Sequence, residues 1–201
     1  MHVPHEVFGF CPLLDMKKSK KLLEHAIKAA KRLKTETLIM HTGYMMKAID
    51  EKSMKEMIKS AAKLARGAGY GRILIENGVP KGTFYIDKGK HYACYNREQM
   101  KEVLELSGAG FCLDLEHAAI TANQLGLDYR KLVSGLMTLK PEYFHLSGMM
   151  LAPKGHHLSI FEGDIDLSFV KSLIKKADKP VCLETPVNIE QRKKEVEFLK
   201  S

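Results

Sequence analysis

Five short apolar runs each end in a residue able to bind a metal ion. They are Leu38-Ile39-Met40-His41, Ile73-Leu74-Ile75-Glu76, Phe111-Cys112-Leu113-Asp114, Tyr143-Phe144-His145 and Val181-Cys182-Leu183-Glu184. The intervals between the five terminal residues are 35, 38, 31 and 39. A strand, a loop and a returning helix take about 30 residues or more. The chain therefore reads as successive βα units, each placing a potential ligand at the C-terminal end of its strand. In an α/β barrel those ends converge on one mouth, where active sites sit. Imidazoles and carboxylates in one place suit a divalent first-row metal. Glu76, Asp114 and Glu184 facing one another would repel unless a cation stood between them.

Further histidines thicken the pattern. His117 follows Asp114 by three residues, in a stretch read as the strand turning into a loop, so both side chains could reach the mouth. His156 and His157 lie in a Gly- and Pro-bounded loop after the His145 strand. Met1-His2-Val3-Pro4-His5 reads as the end of another strand, with His2 in the strand-end position.

The elements that must position these residues are helices between the strands. Asp15 caps a helix over 16–34, with Leu22, Leu23, Ala26, Ile27, Ala30 and Leu33 on one face and Lys17, Lys18, Lys21, Lys28, Lys31 and Arg32 on the other. The lysine face reads as solvated exterior. Ser53 is the expected cap of a second helix, whose stop is Gly67-Ala68-Gly69. Those glycines follow a helix and precede a strand, the reverse of a dinucleotide-binding loop. The segment 80–95 reads as a long loop. Asn96-Arg97-Glu98-Gln99 opens a helix through Leu106 in the manner of a capping box. Further helices follow Asp128, cover 167–177, and run from near Asn188 to the end.

At 201 residues the chain is long enough for one well-buried domain, 1–201, without a linker or low-complexity stretch. No apolar run approaches the roughly 18 residues of a membrane span, and no secretory signal is visible, so a cytoplasmic location is expected. The four cysteines, at 11, 94, 112 and 182, form no CxxC pair, which argues against a zinc knuckle or a disulfide framework. Cys112 and Cys182 read as small buried hydrophobes. The net charge of +8 comes from 26 Lys and 6 Arg against 24 acids, and favours a phosphate-bearing partner.

Taken in order, His2-Val-Pro-His, His41-Thr-Gly, Ile75-Glu76-Asn77, Cys112-Leu-Asp-Leu-Glu-His117, Phe144-His145-Leu-Ser, His157 to Gly163 and Leu183-Glu184-Thr-Pro186 resemble the xylose-isomerase-like metal barrels, and especially their endonuclease IV branch. The resemblance spans nearly the whole chain. It implies a TIM-barrel-like α/β fold and a three-zinc site. His2 and His41 would hold one zinc, Glu76 would bridge to a second completed by Asp114, His145 and Glu184, and His117 and His157 would serve a third. It also implies cleavage of duplex DNA on the 5′ side of an abasic site by a metal-activated hydroxide, with Glu76 and Glu184 as catalytic ligands and no cofactor beyond metal.

The sequence departs from the family pattern twice. Where the family holds its third metal with Asp-x-His, alignment on His157 puts Gly155 in place of the Asp, so a third site of His117 and His157 alone is expected to be weak or empty. The family barrel has eight strands and His2 matches a residue on the third, so about six βα units are expected and the first two are missing. Either the start is internal to a longer protein or the barrel is naturally reduced. Two bare strand edges would follow, closed by a homodimer or by a compacted six-strand arrangement. Two other functions fit the same residues. One is a sugar or sugar-phosphate isomerase or epimerase using Glu76, Asp114, His145 and Glu184 around one Mn, Mg or Co ion. The other is a reduced barrel that binds metal without turnover.

Overall fold

Each helix starts where a short acid or amide can satisfy an orphan N–H. Asp15, Asp50, Asn96, Asp114, Asp128, Asp166 and Asn188 each accept from the backbone N–H three residues on. The computed structural model describes residues 1–4, 8–82, 89–148 and 157–201. Their order is α1 (Met16–Arg32), β1 (Thr37–Met40), β2 (Tyr44–Met45), α2 (Glu51–Arg66), β3 (Arg72–Glu76), β4 (His91–Tyr92), α3 (Arg97–Ser107), β5 (Gly110–Asp114), α4 (Leu115–Leu125), α5 (Tyr129–Met137), β6 (Tyr143–Leu146), α6 (Leu167–Ala177), β7 (Val181–Leu183) and α7 (Ile189–Lys200). Asp50, not Ser53, caps α2; Ser53 donates its N–H to the Asp50 carboxylate at 2.7 Å. A carboxylate three residues upstream is the stronger acceptor at the positive helix end, and the helix gains most of a turn.

β1, β3, β5, β6 and β7 form one parallel sheet in chain order, curled as an incomplete TIM barrel. The expected sixth unit shrinks to a parallel bridge between His2 and Ile39. Val3 N–H donates to the Ile39 carbonyl at 2.8 Å, and Ile39 N–H to that of Met1 at 2.9 Å. Two helices, α4 and α5, fill the crossover between β5 and β6. Within 80–95, read as loop, β4 pairs antiparallel with β2 as a small ribbon just beyond the end of β1.

Strand residues alternate between two layers. Leu38, Met40, Ile75, Phe111, Leu113, Phe144 and Leu146 belong to the main core shared with the helices. Ile39, Leu74 and Cys112, with Tyr143 against them, make the thin inner layer. The lysine-rich face of α1 is exposed, while Leu33, past the helix end, is exposed rather than packed. Cys112 is buried as expected; Cys182 on β7 is only half-buried. Among the described residues no helix is long and apolar enough to cross a membrane.

Phe144 is fully buried on the helix side of β6, one residue before His145. Phe144→Ala should cost about 3–5 kcal/mol, as large core truncations do. Urea unfolding followed by circular dichroism measures it; a loss under about 1 kcal/mol would contradict this packing.

Candidate metal centre

The candidate ligands share the inward parity of the strands. His41, Glu76, Asp114, His145 and Glu184 each stand two residues after an inward-facing residue: Ile39, Leu74, Cys112, Tyr143 and Cys182. The sheet is staggered. Glu76 lies opposite Cys112, Asp114 opposite His145, and His145 opposite Cys182. Asp114 and His145 are thus level, while Asp114 stands two residues beyond the partner of Glu76 and Glu184 two beyond that of His145, steps that the tilt accompanying shear in a curled sheet offsets. His2 enters beside Ile39 from the other edge.

Glu76 is the centre of the arrangement. Its Oε2 stands 2.8 Å from His2 Nε2 and 3.6 Å from His41 Nε2. Its Oε1 stands 3.1 Å from His145 Nδ1 and 3.6 Å from His117 Nδ1. His145 Nδ1 is also 3.2 Å from Glu184 Oε1 and 3.8 Å from Asp114 Oδ2. Two ligands each about 2.1 Å from a tetrahedral zinc stand roughly 3.4 Å apart. Several of these spacings are too long for a good hydrogen bond and match donors around a shared cation. Among the described residues, three groups have ligand atoms within 4.8 Å of one another: His2, His41 and Glu76; Glu76, Asp114 and His145; His145, Cys182 and Glu184.

Other contacts orient the ring nitrogens. His2 Nδ1 lies 2.8 Å from the Val3 carbonyl, and His117 Nδ1 lies 2.7 Å from that of Asn77. A donor at Nδ1 leaves Nε2 with the lone pair a metal needs. Asp114 is at once the last residue of β5 and the cap of α4. It accepts from His117 N–H at 2.8 Å through Oδ1, while Oδ2 faces His145 and His117. The chain passes from strand to helix without the loop read from sequence, so His117 sits in the first helical turn.

Sequence reasoning missed several partners. Asn77 is fully buried and clasps the Asp114 backbone, accepting from its N–H at 2.7 Å and donating to its carbonyl at 3.0 Å. Glu116, 1% exposed, accepts from His157 N–H at 3.1 Å and from the Ser147 hydroxyl. Glu195 is the buried residue of α7; it accepts from Thr185, Ser159 and Ile160 N–H, tying together segments that follow Glu184 and His157. Cys182 joins a ligand group rather than the apolar layer. The visible cue for Asn77 and Glu116 is only their adjacency to Glu76 and His117.

The eight predicted ligands divide in two. His2, His41, Glu76, Asp114, His117, His145 and Glu184 gather around Glu76. His157 stands at the rim, 3.3 Å from Glu116 Oε2 and 3.9 Å from Glu184 Oε2 through Nδ1. His5, Gly155 and His156 lie outside the described residues.

Charge is strongly redistributed among these groups. Burial works to raise the Glu76 pKa, but the His145 and His41 imidazoles hold it well below the usual carboxylate range. Burial, reinforced by the Glu76 charge, pushes Asp114 up to about 7. Burial opposes a charge on His117, yet Asp114, Glu76 and Glu116 outweigh it and raise the imidazole to about 9. His2 and His145 are raised as well, against burial, chiefly through Glu76. Without metal, protons on the imidazoles offset the buried acids.

A family model described as xylose isomerase-like TIM barrel matches residues 3–201. The chain is 25% identical over 190 residues to a probable endonuclease 4 of Mycobacterium ulcerans (strain Agy99), covering 90% of this chain and 69% of that protein. Its fold is similar to the crystal structure of endonuclease IV from Thermus thermophilus, with TM-score 0.72, 18% identity, and coverage of 100% of this chain and 73% of that one. An L-ribulose 3-epimerase structure matches at TM-score 0.57 and 15% identity, over 90% of this chain and 59% of that one.

The raised imidazole sets a pH window. His117 is raised from 6.5 to about 9, so in metal-free protein its contribution to stability is complete below pH 6.5 and lost as pH climbs through 9. Asp114, raised from 3.8 to about 7, acts in the same direction at lower pH. In chelator-treated protein the urea midpoint should fall from pH 6.5 to 9, and the His117 ring should titrate near 9 by NMR. A flat or rising midpoint, with titration near 6.5, would contradict this.

Proposed function

The chain belongs to the xylose isomerase-like TIM barrel family, and on that premise we propose that it is a metal-dependent phosphodiesterase resembling endonuclease IV, cutting duplex DNA 5′ to abasic sites. The observation that carries this reading is the division of Glu76 between two donor groups. One oxygen faces His2 and His41, and the other faces His145. A carboxylate so placed would offer one oxygen to an ion held by His2 and His41 and the other to an ion held by His145. A single-ion isomerase would need Glu76, Asp114, His145 and Glu184, and would leave His2 and His41 without a task.

The donor set of neutral imidazoles and buried carboxylates fits zinc, two ions or three. Divalent ions there would supply Lewis acidity toward a phosphate and lower the pKa of a bound water. The chain's own residues do the rest. Glu76 fixes the separation of the two donor groups. Asp114, braced by Asn77, and His145, wedged between Glu76 and Glu184, form a buried wall. Glu184, 30% exposed just past edge strand β7, is the carboxylate placed to meet a substrate. Glu76 and Glu184 are therefore the residues assigned to the reaction.

Damaged duplex DNA fits the charge of the chain. The β2–β4 ribbon follows His41 directly, and Lys90 Nζ stands 4.6 Å over the Tyr44 ring there, with Lys47 and Lys81 nearby in sequence. Lysines at that rim would neutralise phosphates, and binding would weaken with salt.

The test uses a duplex carrying one abasic site, chelator-treated protein, and the same protein reloaded with zinc or manganese. The expected result is a single nick 5′ to the site with reloaded protein only, and none on intact duplex. Glu76→Gln should reduce nicking by at least about 100-fold, more than loss of a residue that only supports a ligand. No metal-dependent nicking under either ion would overturn the proposal, and one tightly held ion with epimerase activity would favour the sugar reading.

A further inference from the structure

We propose that Arg192 is the positioning residue for Glu184, its guanidinium standing in for the neighbouring strand that β7 lacks. This rests on reading the mouth as a metal centre with Glu184 among its ligands. The first observation is the pairing of the edge. Among the described residues β7 pairs only with β6. Along a strand, successive residues turn their N–H and C=O groups to opposite sides. Here the Pro180 carbonyl accepts from Phe144 N–H, and Glu184 N–H donates to the Leu146 carbonyl at 3.0 Å, so these alternate residues serve β6. Leu183 and Thr185, on either side of Glu184, turn the other way, towards the open edge. A bare edge of this kind leaves its carbonyls to water or to another chain.

The second observation is what fills that side. Arg192 Nη1 donates to the Leu183 carbonyl and Arg192 Nη2 to the Thr185 carbonyl. One planar fork spans the residue between them, a geometry that arginine supplies and lysine does not. The charge on the guanidinium strengthens both bonds. Pro186 follows directly, favouring extended backbone at Thr185 and bringing no N–H of its own.

The third observation is how Arg192 is itself held. Its N–H donates to the Asn188 carbonyl at 2.9 Å, in the first turns of α7. Glu195, three residues on, shares its helix face. Arg192 Nε stands 4.0 Å from Glu195 Oε2, and that same oxygen accepts from the Thr185 hydroxyl at 2.8 Å. Glu195 is fully buried, where a carboxylate needs hydrogen bonds and positive charge. Helix α7 therefore clamps the chain around Glu184 by two carbonyls and a hydroxyl, and the Glu184 carboxylate stays 3.2 Å from His145 Nδ1.

Two measurements test this: hydrogen exchange by mass spectrometry on chelator-treated full chain, and zinc competition against a chromophoric chelator. In Arg192→Ala the peptide 181–188 should exchange at least about tenfold faster, while β5 and β6 keep wild-type rates. One zinc, the ion held with Glu184, should weaken about 10- to 100-fold, as loss of a ligand's outer partner does, and the ion at His2 and His41 should keep its affinity. Arg192→Lys keeps the charge beside Glu195 without the fork, and covers the case in which Arg192→Ala fails to fold. It should show the same faster exchange and weaker zinc; wild-type behaviour there overturns the two-carbonyl role. Unchanged exchange over 181–188, faster exchange with zinc held as in wild type, or equal weakening of both ions overturns this assignment and leaves the Glu76 centre standing. A wild type with no zinc overturns both.

Discussion

A carboxylate that is 2% exposed, with imidazoles at both oxygens, is the constraint around which this half-barrel is organised. Glu76 cannot stay ionised in such a place without positive charge, and His2, His41, His117 and His145 come from four separate segments to provide it. Two of those segments are strand ends, one is the first turn of a helix, and one is the chain's start. The packing of the sheet and the electrostatics of the mouth are thus one problem. If the strands slipped by one residue, every donor would turn into the helix layer and Leu38, Ile75 or Phe144 would face the mouth.

The curled sheet meets this constraint without closing. His2 stands at one edge of the described sheet and Glu184 at the other, and the arc between them carries all the donors around Glu76. The cost falls on the edges. Val181, Cys182 and Leu183 are half-buried, and Glu184 is far more exposed than Asp114 or His145. That asymmetry suits a site with a rigid buried wall and a substrate-facing rim. Glu195 offsets part of the looseness by pulling Thr185 and Ser159 onto α7 through buried hydrogen bonds.

Much of this was legible in the sequence because two periods are easy to see. An apolar run ending in His, Asp or Glu marks an inward-facing position at a strand's exit, and five of them at near-even steps mark a repeated βα unit. Asp15, Asn96, Asp128 and Asn188 announce helix starts through simple cap chemistry. What escaped notice had no period. Asp114 serves as both strand end and cap, so no turn residues separate β5 from α4, and a loop was the natural reading for His117. Glu116 looks like any charged residue in a first helical turn until the fold turns it inward. Asn77 and Glu195 act on backbone or hydroxyl groups far away in sequence. Strands as short as β2 and β4 carry no alternation to detect, and Asp50 outcompetes Ser53 through charge rather than pattern.

The most direct measurement is anomalous scattering at the zinc absorption edge from crystals of the zinc-equilibrated protein. The account predicts two strong peaks flanking the Glu76 carboxylate, one beside His2 and His41 and one among Asp114, His145 and Glu184. Zinc found only on outlying histidines such as His25 or His91, with no peak next to Glu76, would contradict it.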